Sequence, residues 1–186
     1  MRAAQFVEDG DKIFISASYT ALLMLSYITA KNVTLFTNNT NAIGVTRRAD
    51  MKLILIGGEL NAPVGMLTGE VALNSLRSIS LDKSFLGCHG ISAQRGITTS
   101  IPAEAAVNDL ILERTSGKKI LLADRTEVGR NATFICGKCD RVSCLITDSL
   151  SNKGELRKLR RHMAVLQIKI PTEKNPVPET EESIEE

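Results

Sequence analysis

The residues that could bind or transform a ligand fall in five short polar segments, each directly after an apolar run: 16–20, 37–39, 57–59, 87–99 and 124–129. The first supplies Ser16, Ser18, Tyr19 and Thr20 ahead of an apolar stretch that reads as a helix. A helix N-terminus offers free N–H groups and a partial positive charge, which suits an anion. The hydroxyls add donors, although the same residues are also ordinary turn and cap residues. The second segment holds Asn38. In the third, Gly57 and Gly58 let backbone approach a ligand or simply let the chain turn, and Glu59 follows. The fourth is punctuated by glycine and carries Gly87, His89, Gly90, Thr98 and Thr99; the fifth carries Asp124 and Glu127. Asp82 and Glu104 could form a carboxylate pair for general acid–base chemistry. The simpler reading has Asp82 capping the start of a strand and Glu104 facing the dipole of a helix N-terminus.

Two further clusters invite chemistry. Cys136-Gly137-Lys138-Cys139 is a CxxC, with Cys88, Cys144 and His89 elsewhere. A structural zinc wants a second such pair or a Cys/His pair at set spacing, so we assign no metal and read these as buried thiols. Arg157, Lys158, Arg160 and Arg161 form a basic cluster, but Leu156, Leu159 and Met163 place an apolar stripe opposite them, which makes the cluster a solvated helix face.

The elements that must position these residues follow from periodicity and turn chemistry. Residues 2–8 read as the end of a helix, 12–15 as a strand, 21–30 as a helix and 33–37 as a strand. A helix capped by the asparagine cluster 38–41 is expected to run to about Arg48. Residues 52–56 form a continuous apolar run, expected to be a strand buried on both faces. A helix containing Val71, Leu73, Leu76 and Ile79 precedes a strand at 84–86. Pro102 opens a further helix, and strands are expected at 119–123, 133–136, 144–147 and 165–170, with the basic helix between the last two. Strands alternating with helices imply an α/β domain with a mainly parallel sheet covered by helices on both faces. Strand exits share one edge of such a sheet, so the five polar segments should converge there.

At 186 residues, with 43% apolar and 24% charged residues, the chain is large enough for one cored domain. Tryptophan is absent and aromatics are 4%, so the core must be aliphatic. The net charge of +2 hides an asymmetry: residues 171–186 hold six acids and one base, which leaves +7 over residues 1–170. We divide the chain into a domain at 1–170 and a disordered acidic tail at 171–186. A basic body suits a small anionic ligand and is too modest to demand nucleic acid. No run approaches the roughly 20 apolar residues of a membrane span, the N-terminus lacks the apolar core of a signal peptide, and the thiols read as reduced, so a cytoplasmic protein is expected.

Taken in order, a set of motifs resembles the C-terminal sensor domain of DeoR-family bacterial transcription repressors. The set comprises Asp9-Gly10-Asp11, Thr37-Asn38-Asn39, Gly57-Gly58-Glu59-Leu60, Asp82-Lys83-Ser84-Phe85-Leu86-Gly87 with Gly90-Ile91, Gly96-Ile97-Thr98-Thr99 and Glu104-Ala105. Leu121-Leu122-Ala123-Asp124, Gly129-Arg130 and Leu145-Ile146-Thr147-Asp148 complete it. The resemblance implies a Rossmann-like fold similar to ribose-5-phosphate isomerase and glucosamine-6-phosphate deaminase. It implies a regulatory, non-enzymatic domain that needs no cofactor. Such a domain binds a phosphorylated sugar or related metabolite, assembles as a homo-oligomer (dimer or tetramer), and reaches DNA only through a helix-turn-helix that this chain does not contain.

Three departures qualify that implication. The family's first polar loop reads Asp-Ser-Gly-Thr-Thr or close to it, and here it is Ser16-Ala17-Ser18-Tyr19-Thr20. The family commonly has Asp where His89 stands and Lys where Glu127 stands. These changes imply a less anionic effector or a site that has lost its ligand; Arg125 and Arg130 flank Glu127 and could compensate. The alternatives are a sugar-phosphate isomerase or deaminase on the same fold, with His89 in place of a carboxylate base, and a non-binding oligomerisation domain.

Overall fold

Short aliphatic runs broken by polar turns fold here as alternating strands and helices. In chain order they are β1 (Lys12–Ile15), α1 (Tyr19–Leu22), β2 (Thr34–Thr37), β3 (Lys52–Leu55), β4 (Glu59–Asn61), β5 (Met66–Thr68), α2 (Gly69–Arg77) and β6 (Lys83–Leu86). After these come β7 (Gly90–Ser92), β8 (Gly96–Thr99), α3 (Pro102–Arg114), β9 (Lys119–Leu122), β10 (Phe134–Gly137), β11 (Cys144–Asp148), α4 (Lys153–Leu159) and β12 (Ala164–Ile168). The structure, a computed structural model, describes residues 2–170, and the tail expected at 171–186 lies outside them.

Seven strands make one parallel sheet in the order β12-β11-β9-β6-β1-β2-β3. From β1 the chain builds outward through β2 and β3. It then returns to the other side of β1 and builds outward again through β6, β9, β11 and β12. The strand order therefore reverses between β1 and β6, and the crevice beyond the carboxyl ends of such a pair is where open α/β sheets bind ligands.

Side chains alternate across each strand, so the two faces draw on alternate residues. Phe14, Leu86, Leu121 and Leu145 point to one face and pack with Leu76 of α2, Val107 and Ile111 of α3, and Leu156 and Leu159 of α4. Ile13, Ile15, Phe85, Ile120 and Ile146 point to the other, against Ala3, Ala21, Leu22 and Leu25. The second face is covered more thinly than expected. The helix read at 21–30 is the four-residue α1 followed by a 3-10 turn at Leu25–Tyr27. The one read after Asn38 is a 3-10 turn at Thr40–Gly44, and the one read at 2–8 is a 3-10 helix at Arg2–Phe6. Ser26, Thr29, Gly44, Val45 and Thr46 have low helix propensity, which accounts for the first two truncations.

Three further expectations need correction. The run at 52–56 is the sheet's edge: β3 is only partly buried and Ile56 alone is fully covered. Residues 87–99, read as one loop, contain the antiparallel hairpin β7–β8, and β10 pairs with β8 in that second sheet rather than joining the parallel one. Residues 59–68 form the small hairpin β4–β5, which the alternation signal was too short to reveal. The basic cluster is solvent-exposed as expected, with α4 ending at Leu159. All four cysteines are buried; burial pushes Cys136 up to about 12 and Cys139 up to about 11, so both are inert as nucleophiles at neutral pH.

The amino end of β6 carries a buried ion cluster. Lys83 is 7% exposed, and its ammonium lies 2.7 Å from a carboxylate oxygen of Asp11 and 2.7 Å from one of Glu8. Beside it, Asp82 accepts the Lys12 N–H at 2.7 Å, the strand-capping role read from the sequence.

Candidate functional site

The carboxyl ends of β1 and β6 are stitched together by Ser16. Its N–H donates to the Phe85 carbonyl at 3.0 Å, and its Oγ accepts the Gly87 N–H at 3.0 Å, while its side chain is fully buried. Ser18 then caps α1, its Oγ accepting the Ala21 N–H at 3.3 Å. Gly87 is required beneath it: a Cβ at that position would lie 2.2 Å from Ser18 Oγ and 2.4 Å from Ser18 Cβ. The glycine thus lets two strand-exit loops touch across the point where the strand order reverses.

Two residues on, the His89 N–H donates to the Thr98 carbonyl at 2.9 Å, which starts the β7–β8 hairpin. The His89 ring is fixed from the other side. Its Nδ1 accepts the Ser100 N–H at 3.0 Å and lies 3.2 Å from Thr99 Oγ1. Because a backbone N–H points at Nδ1, the neutral ring carries its proton on Nε2. Thr99 Oγ1 donates in turn to the Glu104 carboxylate and accepts the Ile101 N–H. Glu104 is buried in the first turn of α3, where the helix dipole favours an anion, as expected.

The fourth wall comes after β9. Asp124 Oδ1 accepts the N–H and hydroxyl of Thr126 at 2.7 and 2.6 Å, and the Glu127 carboxylate reaches back to accept the Asp124 N–H at 2.9 Å. These bonds, with the Glu127 N–H donating to the Asp124 carbonyl at 3.1 Å, close the segment into a tight turn. Burial is the main cause that pushes the Glu127 carboxyl up to about 7. The Asp124 N–H bond and Arg130 oppose the rise, while the charges of Asp124 and Glu104 add to it.

These walls enclose a pocket of about 180 Å³ lined by Ala17, Ser18, Tyr19, Thr20, Cys88, His89, Glu104 and Glu127. Six of the residues singled out from sequence meet there: Ser18, Tyr19, Thr20, His89, Glu104 and Glu127. Tyr19 is 75% exposed and forms its rim. The others lie beneath it or apart from it. Ser16, Gly87 and Thr99 sit under the pocket and hold it. Thr98 is buried, its hydroxyl donating to the Gly90 carbonyl at 3.0 Å and accepting the Ala132 N–H at 2.9 Å. Gly90 is pressed against the Arg130 carbonyl, 2.5 Å from where a Cβ would stand. Asp124 lines a neighbouring, mostly apolar cleft of about 280 Å³ with Thr20, Leu122, Ile146 and Ile168. Asn38 is buried and donates to the Leu67 carbonyl at 3.1 Å. Gly58, at φ +142°, packs where a Cβ would fall 2.2 Å from the Thr68 carbonyl oxygen, and Glu59 lies against Gly69; this segment seats the β4–β5 hairpin on α2. Asp82 and Glu104 do not form an acid pair, since they stand at opposite ends of β6 and its hairpin. Sequence reasoning missed Ala17 and Cys88 as lining residues, although each neighbours a residue it named.

The pocket holds two carboxyl groups, an imidazole N–H and the three hydroxyls of Ser18, Tyr19 and Thr20, groups that hydrogen-bond a polyhydroxylated small molecule. Among the described residues, neither Glu104 nor Glu127 forms a salt bridge, no cluster of three or more metal-ligating side chains occurs, and no helix is long and apolar enough to cross a membrane.

Comparison with known proteins places this geometry. The family model for the DeoR C terminal sensor domain matches residues 1–149. The chain is 28% identical over 153 residues to the HTH-type transcriptional repressor GlcR of Bacillus subtilis (strain 168), covering 82% of this chain and 58% of the relative. It is 32% identical over 148 residues to the uncharacterized HTH-type transcriptional regulator YulB of the same organism, covering 79% and 57%. It is 26% identical over 169 residues to the glycerol-3-phosphate regulon repressor of Escherichia coli (strain K12), covering 90% and 67%. The chain thus spans little more than half the length of the first two. With the matched region running through every wall of the pocket, the chain belongs to the DeoR C-terminal sensor domain family.

Proposed function

We propose that this chain is the metabolite-sensing part of a DeoR-type transcription regulator. Its pocket takes a small sugar-derived metabolite, either the phosphorylated sugar that the family resemblance implies or a related compound. Occupancy then alters how an attached helix-turn-helix holds DNA. One observation carries the reading: the pocket lies at the reversal of strand order and draws its lining from segments that follow β1, β6, β8 and β9. Loops from four separate strands converge on one cavity, an arrangement that packing alone does not require. The relatives are named as regulators, which supports a non-enzymatic role in the cytoplasm. Assembly as a homo-oligomer is part of the same proposal, and the exposed Leu23 and Tyr27 beside the thinly covered face offer apolar surface for it.

Thermal-shift screening of the purified chain with sugars and sugar phosphates tests this reading. A ligand present at a hundred times its Kd should stabilise the fold by about 2.7 kcal/mol. Turnover of a pentose or hexosamine phosphate would replace the sensor reading with an enzyme on the same fold.

A further inference from the structure

The pocket's own chemistry narrows the class of ligand. We propose that it takes a polyol or aminopolyol that carries no phosphate, because two carboxylates face the cavity while none of its eight lining residues is a lysine or arginine. This rests on the reading of the pocket as the sensor site and selects one member of the class proposed above.

Three observations bear on it. The first is charge. Glu104 and Glu127 come from different segments and reach the same cavity without a salt-bridge partner among the described residues. A phosphate would meet like charge from Glu104, and from Glu127 as it ionises with a folded value of about 7, in a partly desolvated site where repulsion is strongest. An alcohol or ammonium group would meet acceptors.

The second is the supply of amides. Phosphate cradles are made from backbone N–H groups left open by a turn or a helix start. Here part of that supply is already used, although the N–H groups of Tyr19 and Thr20, the first two of α1, have no hydrogen-bond partner among the described residues. The N–H groups of Ser16, Ser18 and His89 bond to the carbonyls of Phe85, Ser16 and Thr98. The Gly87 N–H bonds to Ser16 Oγ, that of Ala21 to Ser18 Oγ, and that of Leu22 to the Ser18 carbonyl. Ser18 therefore spends its hydroxyl oxygen on the helix start instead of leaving that amide for an anion. The helix itself is four residues long, too short to add an appreciable dipole.

The third is what remains open. One oxygen of Glu104 is used by Thr99 and one of Glu127 by the Asp124 N–H; the second oxygen of each has no hydrogen-bond partner among the described residues. His89 keeps Nε2–H as a donor once Nδ1 is taken by Ser100. Two acceptors and a donor around a small cavity match vicinal hydroxyls, or a hydroxyl beside an ammonium.

The test is calorimetric titration of the full 186-residue chain with matched pairs: glucose and glucose 6-phosphate, glucosamine and glucosamine 6-phosphate, glycerol and glycerol 3-phosphate. We expect at least one unphosphorylated member to bind, and its phosphorylated partner to bind at least tenfold more weakly. Glu127→Lys should reverse that order. Should Glu127→Lys not fold, Glu127→Gln keeps the acceptor for the Asp124 N–H and should narrow the gap within the pair. Tighter binding of the phosphorylated member by the wild-type chain would overturn this inference and leave the sensor reading standing. Absence of binding by both members of every pair would overturn the two together.

Discussion

Strand β6 carries charge at both of its ends and treats it in opposite ways. At the amino end Lys83 is enclosed by Asp11 and Glu8, each at 2.7 Å, and the neighbouring Asp82 is spent on the Lys12 amide. At the carboxyl end, past Gly87, the Glu104 and Glu127 carboxylates share one cavity with His89 and have no cation between them. Burying a charge is costly unless it is paired, so the two ends are under different constraints. The matched end fixes the start of β1 and β6 and reads as scaffold. The unmatched end keeps two carboxyl groups that folding does not pair, at the place where the sheet topology opens a crevice.

The largest expected effect comes from unmatching the scaffold end. Lys83→Met leaves Asp11 buried without its counter-ion and should cost about 3–5 kcal/mol in denaturant unfolding; a loss under about 1 kcal/mol would refute a structural role for the cluster. Burial pulls the Lys83 pKa down, but the Asp11 and Glu8 carboxylates outweigh it and the net shift is upward. Stability from this group should therefore be complete below the ordinary value of 10.5 and be lost as pH rises through the higher folded value. The wild-type chain should show that alkaline step and the Met variant should not.

A smaller loss is expected at the other end. Gly87→Ala drives a Cβ into Ser18 and should cost about 1–3 kcal/mol through overpacking. It should also weaken ligand binding, because Ser18 both caps α1 and lines the pocket. Lys83→Met, measured under conditions where it stays folded, should leave binding at the distant pocket intact. If the two variants affected binding equally, the division of labour between the ends would be wrong.

The smallest effect is a change in pH dependence. Glu127 has a folded value of about 7 against an ordinary 4.5. Between those values the folded chain holds a proton that the unfolded chain has released, so stability falls as pH rises through that window. Glu127→Gln abolishes the ionisation and should gain on wild type from pH 4.5 to 7. A constant difference across that range would show that the carboxyl is not perturbed.

Much of this arrangement was legible before any coordinates. The aliphatic runs located all seven strands of the parallel sheet to within a residue or two at each end, because a parallel sheet buried on both faces demands uninterrupted apolar residues. The same rule misjudged residues 52–56, whose run is as apolar although β3 sits at an edge. Only neighbours in space distinguish the two cases, and periodicity does not report them. Helices on the thinly covered face were overread for a related reason: residues 21–30 are apolar enough for a helix, but Ser26 and Thr29 favour turns and no long-range term in the sequence corrected the apolar signal. The hairpin β7–β8 was hidden because Gly90 and Gly96 read as loop residues, although they serve close backbone approach. In the pocket, side chains at strand exits were identifiable one by one. What was not identifiable was their mutual charge. Glu104 and Glu127 are 23 positions apart in the chain, and only the fold brings them to one cavity.

The central claim is that the unmatched end of β6 is the binding end. The direct measurement is amide chemical-shift mapping of the isotope-labelled chain, saturated with whichever unphosphorylated sugar binds in calorimetry. The account predicts shifts concentrated on residues 17–20, 87–90, 99–104 and 124–127, with little change around Lys83, Asp11 and Glu8. Shifts centred on that ion cluster, or on the separate cavity lined by Arg95, Lys138 and His162, would contradict it.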